Sequence, residues 1–236
     1  MSLLATFRSS SASTGSSVAL PSSYESGGDR RNDEFRLIKW HFLSNMDASS
    51  AAGRSPRIIL ITSAREGEGK SYVAHHLAAN FALDQHLELT LIDANPENPA
   101  LGSSSWMGGG ASGPGLFDYL DSESVDRGSI IKSTGLNNVK VILSGQARDS
   151  APELLGSERL GQLLASLVAG HNSFVIIDAG PVLKNGGAAV LARHAGQIAY
   201  VIASNSTRRM DATHGLAVLD RVAGPIDDKS LGVILN

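Results

Sequence analysis

A glycine-spaced loop, residues 64–71, carries the clearest chemistry of the sequence because it ends in Gly-Lys-Ser. An apolar, β-branched run at 57–62 precedes it, and a helix-favouring run at 72–83 follows. In such a strand–loop–helix unit, backbone N–H groups freed by glycine converge on phosphate oxygens at the positive end of the helix. Lys70 would reach the β- and γ-phosphates, and the Ser71 hydroxyl would hold Mg²⁺. The loop therefore predicts a nucleotide site.

Two aspartates end apolar runs further along the chain. Asp93 follows residues 89–92, and Asp178 follows residues 174–177. The carboxyl ends of parallel strands share one edge of a sheet, so both side chains are expected beside the phosphate loop. One carboxylate could support Mg²⁺ through water while the other orients or deprotonates a nucleophile. The alternative is that each aspartate caps the turn after its strand. The candidate catalytic residues are Lys70, Asp93 and Asp178, and the candidate metal ligands are Ser71, Asp93 and Asp178.

Strands and helices alternate from residue 57 onward, and several strands are apolar throughout, as in parallel sheets covered by helices. The pattern predicts one α/β P-loop domain over residues 31–236, with a mostly parallel sheet and helices on both faces. Residues 1–30 are rich in Ser and Gly and are predicted to be disordered. The predicted strands are 57–62, 88–93, 138–143, 173–178, 197–203 and 231–235, and the predicted helices are 33–46, 69–83, 152–169, 187–194 and 208–222.

Composition narrows the function classes. The 236 residues are 42% hydrophobic with a formal net charge of −3, which suits one domain of ordinary size and argues against nucleic-acid binding through bulk charge. The absence of cysteine excludes disulfides and thiolate metal sites. No apolar run approaches the roughly 18 residues of a membrane span, and the N-terminus lacks a secretory signal pattern. We therefore expect a cytoplasmic protein.

The motifs together resemble the bacterial tyrosine kinases (BY-kinases) of capsular and exopolysaccharide synthesis, P-loop proteins related to cell-division and plasmid-partition ATPases. The resemblance covers about residues 33–236, and at least five motifs occur in the right order. These are residues 62–71, similar to a Walker A of the form T-S-x-x-P-G-E-G-K-[ST]; 91–99, similar to L-I-D-A-D-x-R-x-P; 151–157, similar to N-P-x-E-L-L-x-S; 175–182, similar to a Walker B of the form V-I-I-D-T-P-P-V; and 231–236, similar to G-V-V-L-N.

The resemblance implies ATP and Mg²⁺ as cofactors and a tyrosine-kinase-like activity that regulates exopolysaccharide synthesis, chain length or export. It implies a membrane chain-length regulator or co-polymerase as partner, through which the protein would associate with the membrane. It also implies self-association through the 33–46 helix, where Asp33, Arg36 and Lys39 loosely resemble E-x-x-R-x-x-R. In the family an asparagine like Asn236 lies near the adenine. The implied nucleotide-binding residues are Gly67, Glu68, Gly69, Lys70, Ser71, Tyr72 and Asn236.

The sequence departs from the family's pattern at several positions near the expected site. The most consequential is an amide in place of the second carboxylate of the D-x-D pair, because an amide cannot act as a base at neutral pH. Phosphotransfer is therefore expected to be weakened. The departures are Ala64 for the first glycine of the general loop pattern, Glu66 for proline, Asn95 for aspartate, Glu97 for arginine, Ala179 for threonine and Gly180 for proline.

Two other functions stay open. A partition or site-placement ATPase would dimerise on a membrane or DNA, and such relatives typically carry lysine at the position of Arg65. A scaffold with a decayed nucleotide site would not bind ATP. The family usually ends in a tyrosine-rich tail, whereas the tyrosines of this sequence are scattered, and Tyr24, within the segment predicted to be disordered, is the candidate phosphoacceptor.

Overall fold

The computed structural model describes residues 4–8, 29–46, 54–101, 113–147, 150–224 and 230–236. Its strands are β1 (Leu4–Arg8), β2 (Ser55–Ser63), β3 (Glu88–Ala94), β4 (Ile131–Ser133), β5 (Val139–Ile142), β6 (Ser173–Ala179), β7 (Ala195–Ile202) and β8 (Ser230–Leu235). Its helices are α1 (Asp29–Ser44), α2 (Lys70–Ala82), α3 (Leu116–Asp121), α4 (Arg127–Ile130), α5 (Ala151–Leu155), α6 (Glu158–Leu167), α7 (Val182–Asn185), α8 (Gly187–Leu191) and α9 (Arg209–Ala223).

The strands of the described residues form one sheet in the order β1-β8-β7-β2-β6-β3-β5-β4. The six strands from β8 to β5 are parallel, and β1 and β4 pair antiparallel at the two edges. Parallel neighbours need crossover connections, which the helices supply. The predicted α/β class with a mostly parallel sheet is therefore confirmed.

Helices cover both faces of the sheet, as the apolar strands predicted. Along β2, Ile59 and Ile61 face one side, where they pack with Phe35 of α1 and Phe81 of α2. Leu60 faces the other side, where residues of α3, α5, α6, α8 and α9 form the second core. Burial on both sides explains why the central strands carry almost no polar residues before their carboxyl ends.

Each of the six predicted strands is present, with ends shifted by no more than two residues. The predicted helix 152–169 is instead two helices, α5 and α6. Ser157 interrupts it because its hydroxyl accepts a hydrogen bond from the Leu160 N–H (3.3 Å) and caps the start of α6. Residues 4–8 form β1, although the sequence predicts disorder there. Tyr24 and the rest of the predicted disordered segment before residue 29 lie outside the described residues.

Helix α1 docks on α2 through a buried lysine. Lys39 Nζ donates to the Asn80 carbonyl at 3.1 Å, and burial lowers the pKa of this lysine. Asp33 and Arg36 pair with each other along the exposed side of the helix at 2.9 Å. Of the three residues that loosely resemble the family's self-association motif, Lys39 therefore serves the fold. No helix in the described parts of the chain has the length and hydrophobicity to cross a membrane.

Candidate nucleotide site

The structure brings both acidic strand ends to the phosphate loop. Strand β6 lies between β2 and β3, and its Asp178 is in register with Ile61 of β2 and with Asp93 of β3. Strand β2 ends two residues after Ile61, and the phosphate loop begins directly after it. The carboxylates therefore lie side by side at the sheet edge where the loop turns into α2.

The loop itself has the left-handed conformations that its glycines allow. Gly67 has φ 76° and Gly69 has φ 94°, backbone angles that residues with a Cβ adopt only at an energetic cost. Helix α2 starts at Lys70, so the N–H groups of its first turn face the loop without helical partners. Together these groups provide the donors that a phosphate requires.

Lys70 folds back over the loop and is buried. Its Nζ donates to the Arg65 carbonyl at 3.3 Å. Burial lowers the pKa of Lys70, while the charges of Asp178, Glu68 and Glu66 act to raise it. A phosphate would offer this ammonium group a stronger partner than the carbonyl it now contacts.

Glu68 supports the loop from inside with its carboxylate. Oε2 accepts a hydrogen bond from the Arg65 N–H at 2.7 Å, and Oε1 accepts one from the Thr207 hydroxyl. The Thr207 oxygen in turn accepts from the Ala203 N–H at 2.9 Å. The Glu68 side chain is thus committed to the fold, and any nucleotide contact by this residue would come from its backbone.

Arg65 ties the loop to the start of α9. Its Nε and Nη2 donate to the two carboxylate oxygens of Asp211 at 2.7 and 3.0 Å. This two-point arrangement is the strong geometry for an arginine–carboxylate pair. The partners are 146 residues apart, so sequence spacing gave no signal for the contact.

Asp178 is the unusual carboxylate of the site. It is 1% exposed, and neither oxygen has a hydrogen-bond partner of standard geometry within the described structure. Burial raises its pKa from an ordinary value of 3.8 to about 7; the nearby Ser71 hydroxyl lowers the pKa, Asp93 raises it, and Lys70 lowers it. A buried, unpartnered carboxylate costs stability and is typical of a functional site.

Asp93 is equally buried but fully partnered. Its Oδ1 accepts from the Asn95 N–H at 3.0 Å, and its Oδ2 accepts from the N–H groups of Ala100 (2.9 Å) and Leu101 (3.2 Å). Burial raises its pKa, and the three backbone donors offset part of that effect. Asp93 therefore shapes the loop after β3, as the turn-capping alternative predicted for it.

The arrangement fits Mg²⁺ bound together with phosphate. The described residues contain no cluster of three His, Cys, Asp or Glu side chains that could hold a metal alone. Mg²⁺ ordinarily keeps several waters and uses one or two protein oxygens beside substrate phosphates. The Ser71 hydroxyl and the unpartnered oxygens of Asp178 are protein oxygens of that kind.

The other two predicted nucleotide contacts differ in placement. Asn236 touches the loop directly, since its Nδ2 donates to the Glu68 carbonyl at 3.1 Å. Its backbone is fixed by hydrogen bonds to Ile202 (2.8 Å) and Ser204 (2.9 Å). The Tyr72 ring instead packs against His76, with ring centroids 4.0 Å apart, so this residue faces a phosphate only with its backbone N–H.

A cavity of about 730 Å³ borders Asp93 on the side away from the phosphate loop. Leu143 and Ser144, just beyond β5, form part of its wall, together with Asp118 and Gln146. The cavity leaves room for a second molecule or side chain beside the Asp93 carboxylate.

A lysine that the sequence did not single out links two loops of the site to helix α7. Lys184, in α7 after β6, pairs with Glu66 of the phosphate loop and with Glu97 of the loop after β3. Asn185 adds a hydrogen bond from Nδ2 to Glu97 Oε1 at 3.0 Å. We call Glu66, Lys184 and Glu97 the loop clasp.

Among known proteins, this chain is similar to bacterial tyrosine kinases both in sequence and in fold. No protein-family model matches the chain. "Tyrosine-protein kinase YwqD" of Bacillus subtilis (strain 168) is 28% identical over 205 residues, which are 87% of this chain and 80% of that protein. The kinase domain of the Escherichia coli tyrosine kinase ETK has a TM-score of 0.72 and 26% identity, covering 88% of this chain and 75% of that one. A ParA family ATPase from Chlorobium tepidum TLS shares the fold, with a TM-score of 0.60 and 18% identity over 76% of this chain and 73% of its own.

Proposed function

We propose that this chain, which resembles the bacterial tyrosine kinases in sequence and in fold, is an ATP- and Mg²⁺-binding, tyrosine-kinase-like protein that regulates exopolysaccharide synthesis, chain length or export. One observation carries the proposal. The buried, unpartnered carboxylate of Asp178 lies beside Lys70 and Ser71 at the mouth of a glycine-built phosphate loop.

Each side chain has a distinct part in this function. Lys70 would bind the phosphates, and Mg²⁺, when bound beside Ser71 and Asp178, would neutralise charge on the phosphoryl group. Asp93 would orient the acceptor hydroxyl, which can approach from the adjoining cavity. Asn95 follows Asp93 with an amide, whose Nδ2 donates to the Asn98 carbonyl at 3.4 Å. Because Asn95 supplies no second carboxylate to take a proton, phosphotransfer would be slow even when ATP is bound in the correct geometry.

Partners follow from the same resemblance. The chain would act with a membrane chain-length regulator or co-polymerase, and it would self-associate through α1. The exposed side of α1 carries Leu37 and Trp40, which are 50% and 60% exposed. Exposed apolar side chains such as these suit a contact between copies of the chain, whereas Lys39 is buried and is not available for one.

The partition-ATPase alternative finds less support. In that alternative the relatives typically carry a lysine at the position of Arg65. Here the guanidinium is held by Asp211 of the same chain in a two-point ion pair. ATP hydrolysis stimulated by DNA or lipid vesicles would favour this alternative.

Saturating Mg-ATP is expected to raise the stability of the protein by about 3–4 kcal/mol at 100 to 1,000 times the dissociation constant. A thermal-shift scan measures this, with Lys70→Ala as the variant that should lose the shift. An unshifted transition in the wild-type protein would leave the scaffold as the remaining function.

Incubation with labelled ATP and Mg²⁺ then tests phosphotransfer. Label transfer that disappears in Lys70→Ala supports a kinase, and binding without transfer supports an ATP-gated assembly module.

Replacing Trp40 with Ser is expected to weaken self-association roughly tenfold or more, because central aromatic residues dominate such contacts. Sedimentation velocity over a concentration series measures the change. Leu136→Ser is the matched control, since Leu136 is 39% exposed in the turn between β4 and β5, away from α1. A wild-type protein that stays monomeric throughout the series would contradict the α1 contact.

A further inference from the structure

We infer that Lys184 is a positioning residue for the nucleotide: its ammonium group ties the phosphate loop to the loop after β3 and neutralises two carboxylates that border the site. The inference rests on the proposed nucleotide binding and names a residue that the sequence motifs do not contain.

The contacts of the loop clasp join three separate segments. Lys184 pairs with Glu66 Oε1 on one side and with Glu97 Oε2 on the other. Helix α7, which carries the lysine, is itself docked on the phosphate loop because the Leu183 N–H donates to the Ala64 carbonyl at 3.3 Å. The lysine is thus placed by its own backbone, and it fixes both acidic loops relative to the end of β6.

The charge of the clasp reaches the phosphate-binding lysine. Burial is the main cause that lowers the pKa of Lys70, but the positive charge of Lys184 also acts to lower it. With Lys184 present, the clasp combines two carboxylates and one ammonium group, for a net charge of −1. Without the lysine, two unneutralised carboxylates would face an anionic nucleotide, which Coulomb repulsion disfavours.

Exposure separates a role in binding from a role in folding. The side chains of Lys184, Glu66 and Glu97 are 42%, 54% and 39% exposed. Exposed ion pairs add little to the stability of a fold. Removing the lysine should therefore leave the ligand-free protein folded and change the affinity for the nucleotide, and salt should screen that change.

Isothermal titration of Mg-ATP into the full chain tests the inference. Lys184→Met is expected to raise Kd about tenfold in about 50 mM salt, and the difference should shrink to about twofold or less in about 0.5 M salt. Lys184→Arg, which keeps the charge, should bind like the wild type. Adding Glu66→Gln and Glu97→Gln to Lys184→Met should restore affinity, because the repelling carboxylates are then gone.

Lys140→Met is the matched control for net charge. Lys140 is exposed on β5 and lines a different cavity, with Glu88 and Ser173 at the amino ends of their strands. A wild-type affinity in Lys184→Met, a loss that salt does not reduce, or an equal loss in Lys140→Met would each overturn the inference while leaving nucleotide binding established. Failure of the wild-type protein to bind Mg-ATP would instead overturn the proposed function.

Discussion

Replacing Asp178 with Asn is expected to raise the free energy of unfolding of the ligand-free protein by about 1–3 kcal/mol, the range for a buried group without partners. The substitution removes a buried charge that lacks a hydrogen bond of standard geometry and that is repelled by Asp93. The same change should weaken Mg²⁺-dependent ATP binding by about 10- to 100-fold, as for other groups that orient a metal site. Denaturant unfolding and titration with Mg-ATP measure the two effects.

The stability gain should depend on pH in a defined direction. The pKa of Asp178 is raised from 3.8 to about 7 by folding, so the carboxylate destabilises the native state most above pH 7 and not below about pH 4. The advantage of Asp178→Asn should therefore be full at about pH 8 and fade as the pH falls. Asp93→Asn is the matched control and should lack this gain, because an amide cannot accept all three N–H bonds that Asp93 receives. Equal effects of the two substitutions would contradict the difference in partnering.

Replacing Gly69 with Ala is expected to destabilise the protein by about 2–3 kcal/mol and to abolish measurable ATP binding. Part of the loss comes from φ 94°, a conformation that alanine adopts at a cost. The rest comes from Asn236, since a Cβ at residue 69 would lie 2.0 Å from its Nδ2. Asn236 must then swing away and give up its hydrogen bond to the Glu68 carbonyl. Chemical denaturation and nucleotide titration measure both losses.

Gly67→Ala provides the comparison for Gly69→Ala within the same loop. Gly67 has φ 76°, but among the described residues no atom beyond its two chain neighbours lies within 4 Å of the place that an alanine methyl group would occupy there. Only backbone strain of about 1–2 kcal/mol should therefore appear. Asn236→Ala isolates the hydrogen bond, and if the collision is real it should add little to Gly69→Ala. Additive losses would mean that the two residues do not interact.

The fold was largely predictable because its signals are local. Apolar runs of strand length that end in Asp93 and Asp178 placed β3 and β6, and the Gly-Lys-Ser turn placed β2 against α2. The shared edge of a parallel sheet then brought the two carboxylates to the loop.

The remaining features depend on contacts between distant segments. From their positions in the sequence, Asp93 and Asp178 were expected to have the same environment. In the structure, backbone N–H groups of residues 95–101 donate to Asp93, whereas Asp178 receives no such bonds. Asp211 and Lys184 belong to no motif, because each acts on the phosphate loop from a helix that follows another strand. Short elements such as β4, three residues long, offer too few positions for a periodic signal.

The anchoring of the phosphate loop has a mechanical consequence. Arg65 is held by Asp211, and Glu68 by Thr207, both within the segment that leads from β7 into α9. These contacts hold the phosphate loop in place before any ligand arrives, so we expect little ordering entropy to be lost on binding. Conversely, a partner that displaces the beginning of α9 would distort the phosphate loop through these two contacts. Helix α9 would then transmit nucleotide binding to any partner that contacts it.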